Sequence, residues 1–131
     1  MTSQSTNTTA DDWIAATVLR GDQTGRTINF PSLNLDAALW PKALQAQPGV
    51  YASLVQIAGR RYKGALYYGP RLVKKEVHNV LEIHVFDFAE EIYDQTIEFQ
   101  IGAFVRPPLD FDSLDGLKQQ LAEDVARVVG L

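Results

Sequence analysis

Short runs of alternating apolar and polar residues, rich in valine, isoleucine and tyrosine, recur along most of this chain. Runs of this length that are bounded by glycine, proline or charged residues predict β-strands. The predicted strands are Ile14–Leu19, Val50–Ile57, Arg61–Tyr68, Val80–Phe88 and Thr96–Val105. The second and third of them flank Ala58-Gly59-Arg60, which predicts a hairpin with a tight turn.

The hydrophobic period changes between Ser113 and Val129. Leucine and valine recur there at three- and four-residue steps, the spacing of an amphipathic helix, and Asp112 or Ser113 is available as its N-cap. Several short strands followed by one terminal helix predict a mainly β fold. We expect an antiparallel barrel with the helix packed on its outside or across one end.

Glycine and proline mark the predicted connections between these elements. The segment Asp36–Pro48 contains Trp40-Pro41, which predicts a loop with one helical turn. Gly69-Pro70 breaks the strand pattern, so that Arg71–Asn79 reads as a charged connector. Gly102 predicts a bulge or bend in the last strand.

Length and composition predict one globular domain over residues 11–131, preceded by a polar, flexible tail at residues 1–10. The chain has 131 residues, 46% of them hydrophobic, and a net charge of -4, which argues against general binding to nucleic acid or anionic membranes. The absence of cysteine excludes disulfides and thiolate chemistry. Because the N-terminus lacks the features of a signal peptide and no apolar run could span a bilayer, we expect a cytoplasmic protein. We also expect a monomer.

The segment Gly21–Leu35, G-D-Q-T-G-R-T-I-N-F-P-S-L-N-L, has a composition suited to holding an anion. Glycine lets backbone amides approach a phosphate closely, and Arg26 adds a positive charge. Ser32 and Asn34 carry neutral oxygens two residues apart, which suit Mg²⁺ shared with phosphate oxygens. The same residues are also typical of a polar turn between two strands, and their spacing alone does not decide between the two.

Glu82 and His84 lie two residues apart in a predicted strand and therefore project from the same face. A carboxylate there could accept a proton from an alcohol. An ordinary solvent-facing pair on an alternating strand is the other interpretation. Two histidines and no cysteine argue against a zinc site.

Arg106 and Phe111 lie between the last predicted strand and the helix. Arg106 could reach a bound anion or stack on a ring, or it could be a surface arginine. Phe111 could stack on a planar ligand, or it could be a hydrophobic contact at the start of the helix.

Taken in order, these segments resemble the riboflavin kinase (flavokinase) family. The resemblance runs from about Ala15 to Val129. It rests on F-P-S-L-N at Phe30–Asn34, P-G-V-Y at Pro48–Tyr51, L-E-I-H-V-F-D-F at Leu81–Phe88, I-Y at Ile92-Tyr93, and V-R-P followed by F-D-S-L-D-G-L at Phe111–Leu117.

The resemblance implies a six-stranded antiparallel Greek-key barrel that transfers the γ-phosphate of ATP to the 5′-hydroxyl of riboflavin, giving FMN and ADP. Such an enzyme needs Mg²⁺ and small-molecule substrates, with no nucleic acid or membrane partner. The residue roles that it implies are a general base at Glu82, metal binding at Ser32 and Asn34, nucleotide binding at Gly21, Arg26, Ser32 and Asn34, and flavin binding at Arg106 and Phe111.

Several positions depart from the family pattern, mostly in the phosphate loop. They are Ser32 in place of threonine, Asn29 in place of glycine, Leu33 in place of a small residue, Gln23 and Thr24 in place of glycine and arginine, and Asp94 in place of glycine. The segment after Gly69-Pro70 also lacks the family's Pro-Thr-Phe. These departures leave open one alternative, a flavin- or nucleotide-binding barrel without turnover. A third hypothesis, a small barrel that binds oligonucleotides, is disfavoured by the acidic balance and by the lack of interleaved aromatic and basic residues.

Overall fold

The computed structural model describes residues 13–20, 32–73, 76–88, 90–108 and 114–130. These residues contain six β-strands, one α-helix and two 3₁₀ turns, at Ala37–Leu39 and Lys42–Leu44. The larger elements are β1 Ile14–Thr17, β2 Leu33–Leu35, β3 Gly49–Ile57, β4 Arg60–Val73, β5 Glu76–Val85, β6 Thr96–Arg106 and α1 Leu114–Val129.

The six strands form one antiparallel sheet in the order β1-β6-β3-β4-β5-β2. Strands β3, β4 and β5 follow one another as neighbours, and β6 then returns to lie beside β3, which is the Greek-key arrangement. The two end strands approach each other where the Leu19 N–H donates to the Asn34 carbonyl oxygen at 2.7 Å. The result is the nearly closed mainly β barrel that the sequence and its resemblance predict.

Alternation along the strands separates a buried face from an outer face. In β5, Leu81, Ile83 and Val85 are buried in the core, whereas Glu82 and His84 are half-buried on the other face. Strand β2 repeats this pattern, with buried leucines on both sides of Asn34. The polar residues of these two strands therefore lie on the face that points away from the core.

The helix α1 packs against β3, β4 and β6 on the outside of the barrel. Val128 and Asp124 are its buried residues among those whose side chains the structure describes. The predicted N-cap, Asp112 or Ser113, lies outside the described residues. No helix in the described ranges is long and apolar enough to cross a bilayer.

The prediction that Arg71–Asn79 is a connector is wrong. Strand β4 continues to Val73, and β5 already begins at Glu76, with Pro70 paired to Asn79. Pairing between β3 and β4 ends at Tyr68, so that β4 has a partner on one side only from Gly69 onward. A proline is compatible with such an edge, because no neighbour needs its missing N–H.

The other boundaries differ from the predictions by a few residues. Strand β1 ends at Thr17, since Leu19 takes part only in an isolated bridge, and β2 lies inside the segment that was predicted as a loop. The loop before β3 contains two 3₁₀ turns instead of one helical turn. The predicted irregularity at Gly102 is confirmed, because the pairing of β6 with β3 shifts register between the partners of Tyr51 and Ser53.

The hairpin between β3 and β4 has a strained residue at its turn. Ala58 and Gly59 have φ angles of 50° and 81°, the two positive values that a type I′ turn requires. Glycine adopts positive φ angles without a steric penalty, whereas alanine adopts them only at a steric cost. We expect Ala58→Asn to raise the free energy of unfolding by about 0.5–1 kcal/mol in urea denaturation. Ala58→Val should lower it, and equal stability of the two variants would contradict this account of the turn.

Candidate active site

Three neighbouring strands place polar residues side by side on the outer face of the sheet. Asn34 on β2 lies directly opposite Glu82 on β5, and Glu82 lies directly opposite Tyr67 on β4. Residues that face each other in this way have Cβ atoms about 4.5–5.5 Å apart. The structure thus brings together Glu82, the predicted base, and Asn34, a predicted metal ligand.

Arg71 completes this group and was not predicted as a site residue. Its Nη1 forms an ion pair with Glu82 Oε1, and its Cζ lies 5.0 Å from the centre of the Tyr67 ring. The side chains of Glu82 and Arg71 are 12% and 30% exposed. The alternative interpretation of Glu82 as an ordinary solvent-facing residue is therefore wrong, because its side chain is largely enclosed and is paired with Arg71.

The sequence carries a signal for Arg71 that the Gly69-Pro70 step obscured. Tyr67 and Arg71 are four residues apart, so that in one continuous strand they project from the same face. A connector beginning at Arg71 would remove that relationship. Once the strand is seen to run through Pro70, the face shared with Glu82 follows from register.

The predicted metal ligands lie at the start of β2. Ser32 precedes Leu33 and alternates with the buried leucines in the same way as Asn34, so that both side chains belong to the outer face. A hydroxyl, an amide oxygen and a carboxylate are hard oxygen donors, which fit Mg²⁺. The described part of the chain holds no group of three or more His, Asp or Glu residues that could bind a metal by itself. Mg²⁺ commonly takes the rest of its coordination from substrate phosphates and water.

Most of the predicted phosphate loop, residues 21–31, lies outside the described residues. Gly21 and Arg26 lie outside the described residues, as do the departures at Gln23, Thr24 and Asn29. Phe111, on the proposed flavin side, also lies outside them.

Arg106 is held by the helix instead of facing solvent. Its Nε donates to Asp124 Oδ1 at 2.8 Å, its Nη2 donates to Asp124 Oδ2 at 2.7 Å, and its Nη1 donates to the Pro107 carbonyl oxygen at 2.9 Å. The two side chains are 10% and 1% exposed. The alternative of a surface arginine is wrong, and the guanidinium joins β6 to α1. Its predicted contact with flavin stays a prediction.

Tyr51, in the predicted P-G-V-Y motif, is a buried hydrogen-bond donor. Its hydroxyl donates to the Gln47 carbonyl oxygen at 2.7 Å, and its ring packs edge-on against Trp40 and Phe104. Burial raises the pKa of the Tyr51 phenol above its ordinary value. The phenol therefore stays protonated at neutral pH, and its ring and hydroxyl bind the loop before β3 to the barrel.

Asp94, which replaces the family's glycine, lies at a turn position with positive φ. Asp94 has a φ of 67°, and its N–H donates to the Val18 carbonyl oxygen at 2.7 Å. Positive φ is the conformation that glycine adopts most easily and that aspartate tolerates better than most residues. Replacement of the family's glycine by aspartate is thus compatible with the turn that precedes β6.

Comparisons with known proteins point to one family. The model of the flavokinase (riboflavin kinase) family matches residues 12–130. An RNA-binding riboflavin kinase from Bacillus subtilis is 35% identical over 116 residues, which cover 88% of this chain and 49% of that protein. A bifunctional riboflavin kinase/FMN adenylyltransferase from Haemophilus influenzae is 34% identical over 109 residues, covering 82% of this chain and 34% of that protein. The chain thus spans half or less of the length of these two relatives.

The fold also matches a solved structure. A crystal structure of a protein described as a macrolide-efflux protein from Streptococcus pneumoniae superimposes with a TM-score of 0.76 at 28% identity. The match covers 91% of this chain and 38% of that one. The efflux description concerns that protein, and what the two chains share is the barrel.

Proposed function

Because the chain belongs to the riboflavin kinase (flavokinase) family, we propose that it transfers the γ-phosphate of ATP to the 5′-hydroxyl of riboflavin, producing FMN and ADP. The observation that carries this proposal is the placement of Glu82. Its carboxylate is largely enclosed, lies opposite Asn34 and is paired with Arg71. A positioned carboxylate beside oxygen ligands is what a phosphoryl transfer to an alcohol requires.

Glu82 acts as the general base in this proposal. Its carboxylate accepts the proton of the 5′-hydroxyl as the hydroxyl oxygen forms a bond to the γ-phosphorus. The bond between that phosphorus and the β,γ-bridging oxygen breaks, and ADP leaves with the electron pair. The proton stays on Glu82 until product release, when solvent takes it up.

Ser32 and Asn34 would hold Mg²⁺ through the serine hydroxyl and the amide oxygen. When bound, the ion supplies positive charge that neutralises the phosphates and orients them for in-line transfer. We assign Gly21 and Arg26 to the nucleotide phosphates and Phe111 to the flavin ring, as the resemblance implies. The resemblance also places Arg106 on the flavin side. Because its guanidinium is bound to Asp124, we assign it an indirect role, in which it holds the segment that follows β6.

The reaction itself is the test of this proposal. Purified protein is incubated with riboflavin, ATP and Mg²⁺, and FMN is followed by chromatography, with parallel samples that lack ATP or contain EDTA. We expect FMN only in the complete mixture. Tight riboflavin binding without any FMN would overturn the kinase proposal.

Replacement of the Ser32 hydroxyl tests the proposed metal site. We expect Ser32→Ala to raise the Mg²⁺ concentration for half-maximal activity about tenfold, the equivalent of about 1.4 kcal/mol of binding. Ser32→Thr retains the hydroxyl and is the matched control, which should keep the wild-type requirement. An unchanged Mg²⁺ requirement in Ser32→Ala would remove Ser32 from the site.

A further inference from the structure

Arg71 makes an ion pair that its position in the sheet does not require. Its direct neighbour across the β4–β5 hairpin is His78, yet its guanidinium lies against Glu82, four residues further along β5. This part of the hairpin extends beyond the end of β3. The arginine side chain therefore extends from the edge of the sheet toward Glu82, which lies opposite Asn34.

The ring of Tyr67 supports the guanidinium in this position. The Arg71 Cζ lies 5.0 Å from the ring centre, and the Tyr67 hydroxyl donates to the Pro70 carbonyl oxygen at 2.7 Å. A guanidinium over an aromatic face gains a favourable contact while its N–H groups remain directed at a carboxylate. The Tyr67 ring is thus held by its hydrogen bond to Pro70, and it in turn holds the guanidinium that pairs with Glu82.

The surroundings of Glu82 allow this ion pair to influence its chemistry. Among the described residues on this face, the titratable and charged groups next to Glu82 are Arg71 and Tyr67 on β4 and His84 on β5, while β2 contributes the uncharged Asn34. An ion pair with little solvent exposure is less screened than one on the open surface. A cation in that position stabilises the negative charge of the carboxylate and restricts its rotation.

The chain segment after β2 adds one more carboxylate, at the 3₁₀ turn that packs against β5. Asp36 accepts a hydrogen bond from the Ala38 N–H at 2.9 Å and caps that turn. This carboxylate is therefore engaged in local structure.

We propose that Arg71 is a positioning residue for Glu82 that holds the carboxylate in the orientation needed for proton transfer. This inference rests on the proposed kinase function. Arg71 acts through Glu82 in this role and needs no contact with the substrate. A carboxylate that is turned away cannot accept the hydroxyl proton, so loss of Arg71 should slow the chemical step more than it weakens binding.

The kinetic test compares three variants with the wild-type protein. For Arg71→Gln we expect kcat to fall by about ten- to a hundredfold, with the KM values for riboflavin and ATP changed by less than about threefold. Arg71→Lys keeps a positive charge at this position and should recover part of the lost kcat.

Arg61→Gln is the matched control. Arg61 is also an arginine on β4 that lies near an aromatic ring, Trp13, and bonds to Gln56 instead of to Glu82. Arg61→Gln should leave kcat and both KM values unchanged. A wild-type kcat in Arg71→Gln would overturn the inference.

A second measurement does not depend on turnover. The Glu82 carboxyl carbon is followed by NMR in protein labelled at glutamate and assigned with Glu82→Gln. We expect its chemical shift and line width to change in Arg71→Gln and to stay at the wild-type values in Arg61→Gln, and an unchanged signal in Arg71→Gln would overturn the inference. If the wild-type protein makes no FMN, the kinase proposal fails, whereas this signal still reports on the ion pair.

Discussion

Glu82→Gln is expected to reduce kcat by about 10²- to 10⁴-fold, the usual contribution of a general base, while riboflavin binding persists. Glutamine has the same size and can still accept a hydrogen bond from Arg71, so the outer face of β5 should keep its shape. An amide cannot take the proton of the 5′-hydroxyl at neutral pH. The loss should therefore appear in kcat, measured by FMN formation, and riboflavin affinity should stay close to that of the wild type.

Glu98→Gln is the control for this experiment. Glu98 is also a half-buried strand carboxylate that faces a polar neighbour, with Gln56 Nε2 at 3.4 Å from its Oε1, but it lies on β6 away from Asn34. It should retain normal turnover. Near-normal turnover in Glu82→Gln would show that another group is the base.

Asp124→Ala is expected to lower the free energy of unfolding by about 3–5 kcal/mol, the cost of breaking a buried ion pair from one side. Asp124 accepts two hydrogen bonds from Arg106 and one from Gln120. Alanine would leave the Arg106 guanidinium enclosed between β6 and α1 without its counter-charge. The change is measured by urea denaturation.

Two further variants separate charge from packing. Glu123→Ala alters the exposed neighbouring residue of the helix and should change stability by no more than about 0.5 kcal/mol. The double variant Arg106→Met with Asp124→Leu should recover most of the lost stability, because no charge remains buried. A loss below about 1 kcal/mol in Asp124→Ala would mean that this pair does not anchor the helix.

The double variant also tests the predicted role of Arg106 in flavin binding. If its riboflavin affinity matches that of the wild type, the guanidinium is a structural group and the flavin site depends on other residues. A weaker affinity in a protein of restored stability would support the role that the family resemblance implies.

The strands and the helix were predictable because their signals are local. Alternation in β5 separates Leu81 and Ile83 from Glu82, and this is sufficient to assign them to opposite faces. The strand order was not contained in periodicity and came from the resemblance. Pro70 led to the wrong prediction of a connector, because the effect of a missing N–H depends on a neighbouring strand, and the pairing of β3 with β4 stops at Tyr68.

The candidate site was predictable in part for the same reason. Glu82 and Asn34 stand out by residue type and by position in a motif, but nothing local indicates that they face each other across two strands. Arg71 was missed because the predicted break at Gly69-Pro70 removed its same-face relationship to Tyr67. Asp124 was missed because it pairs with Arg106, 18 positions away on another element, and such an ion pair has no periodic signature.

The contact that brings the two ends of the sheet together involves Asn34, a proposed site residue. The main chain of Asn34 accepts the hydrogen bond from Leu19 that joins the two end strands, and its side chain belongs to the face that holds Glu82. Opening of the barrel at this contact would therefore displace the proposed metal ligand. Closure of the barrel and assembly of the proposed phosphate-transfer site thus depend on the same residue.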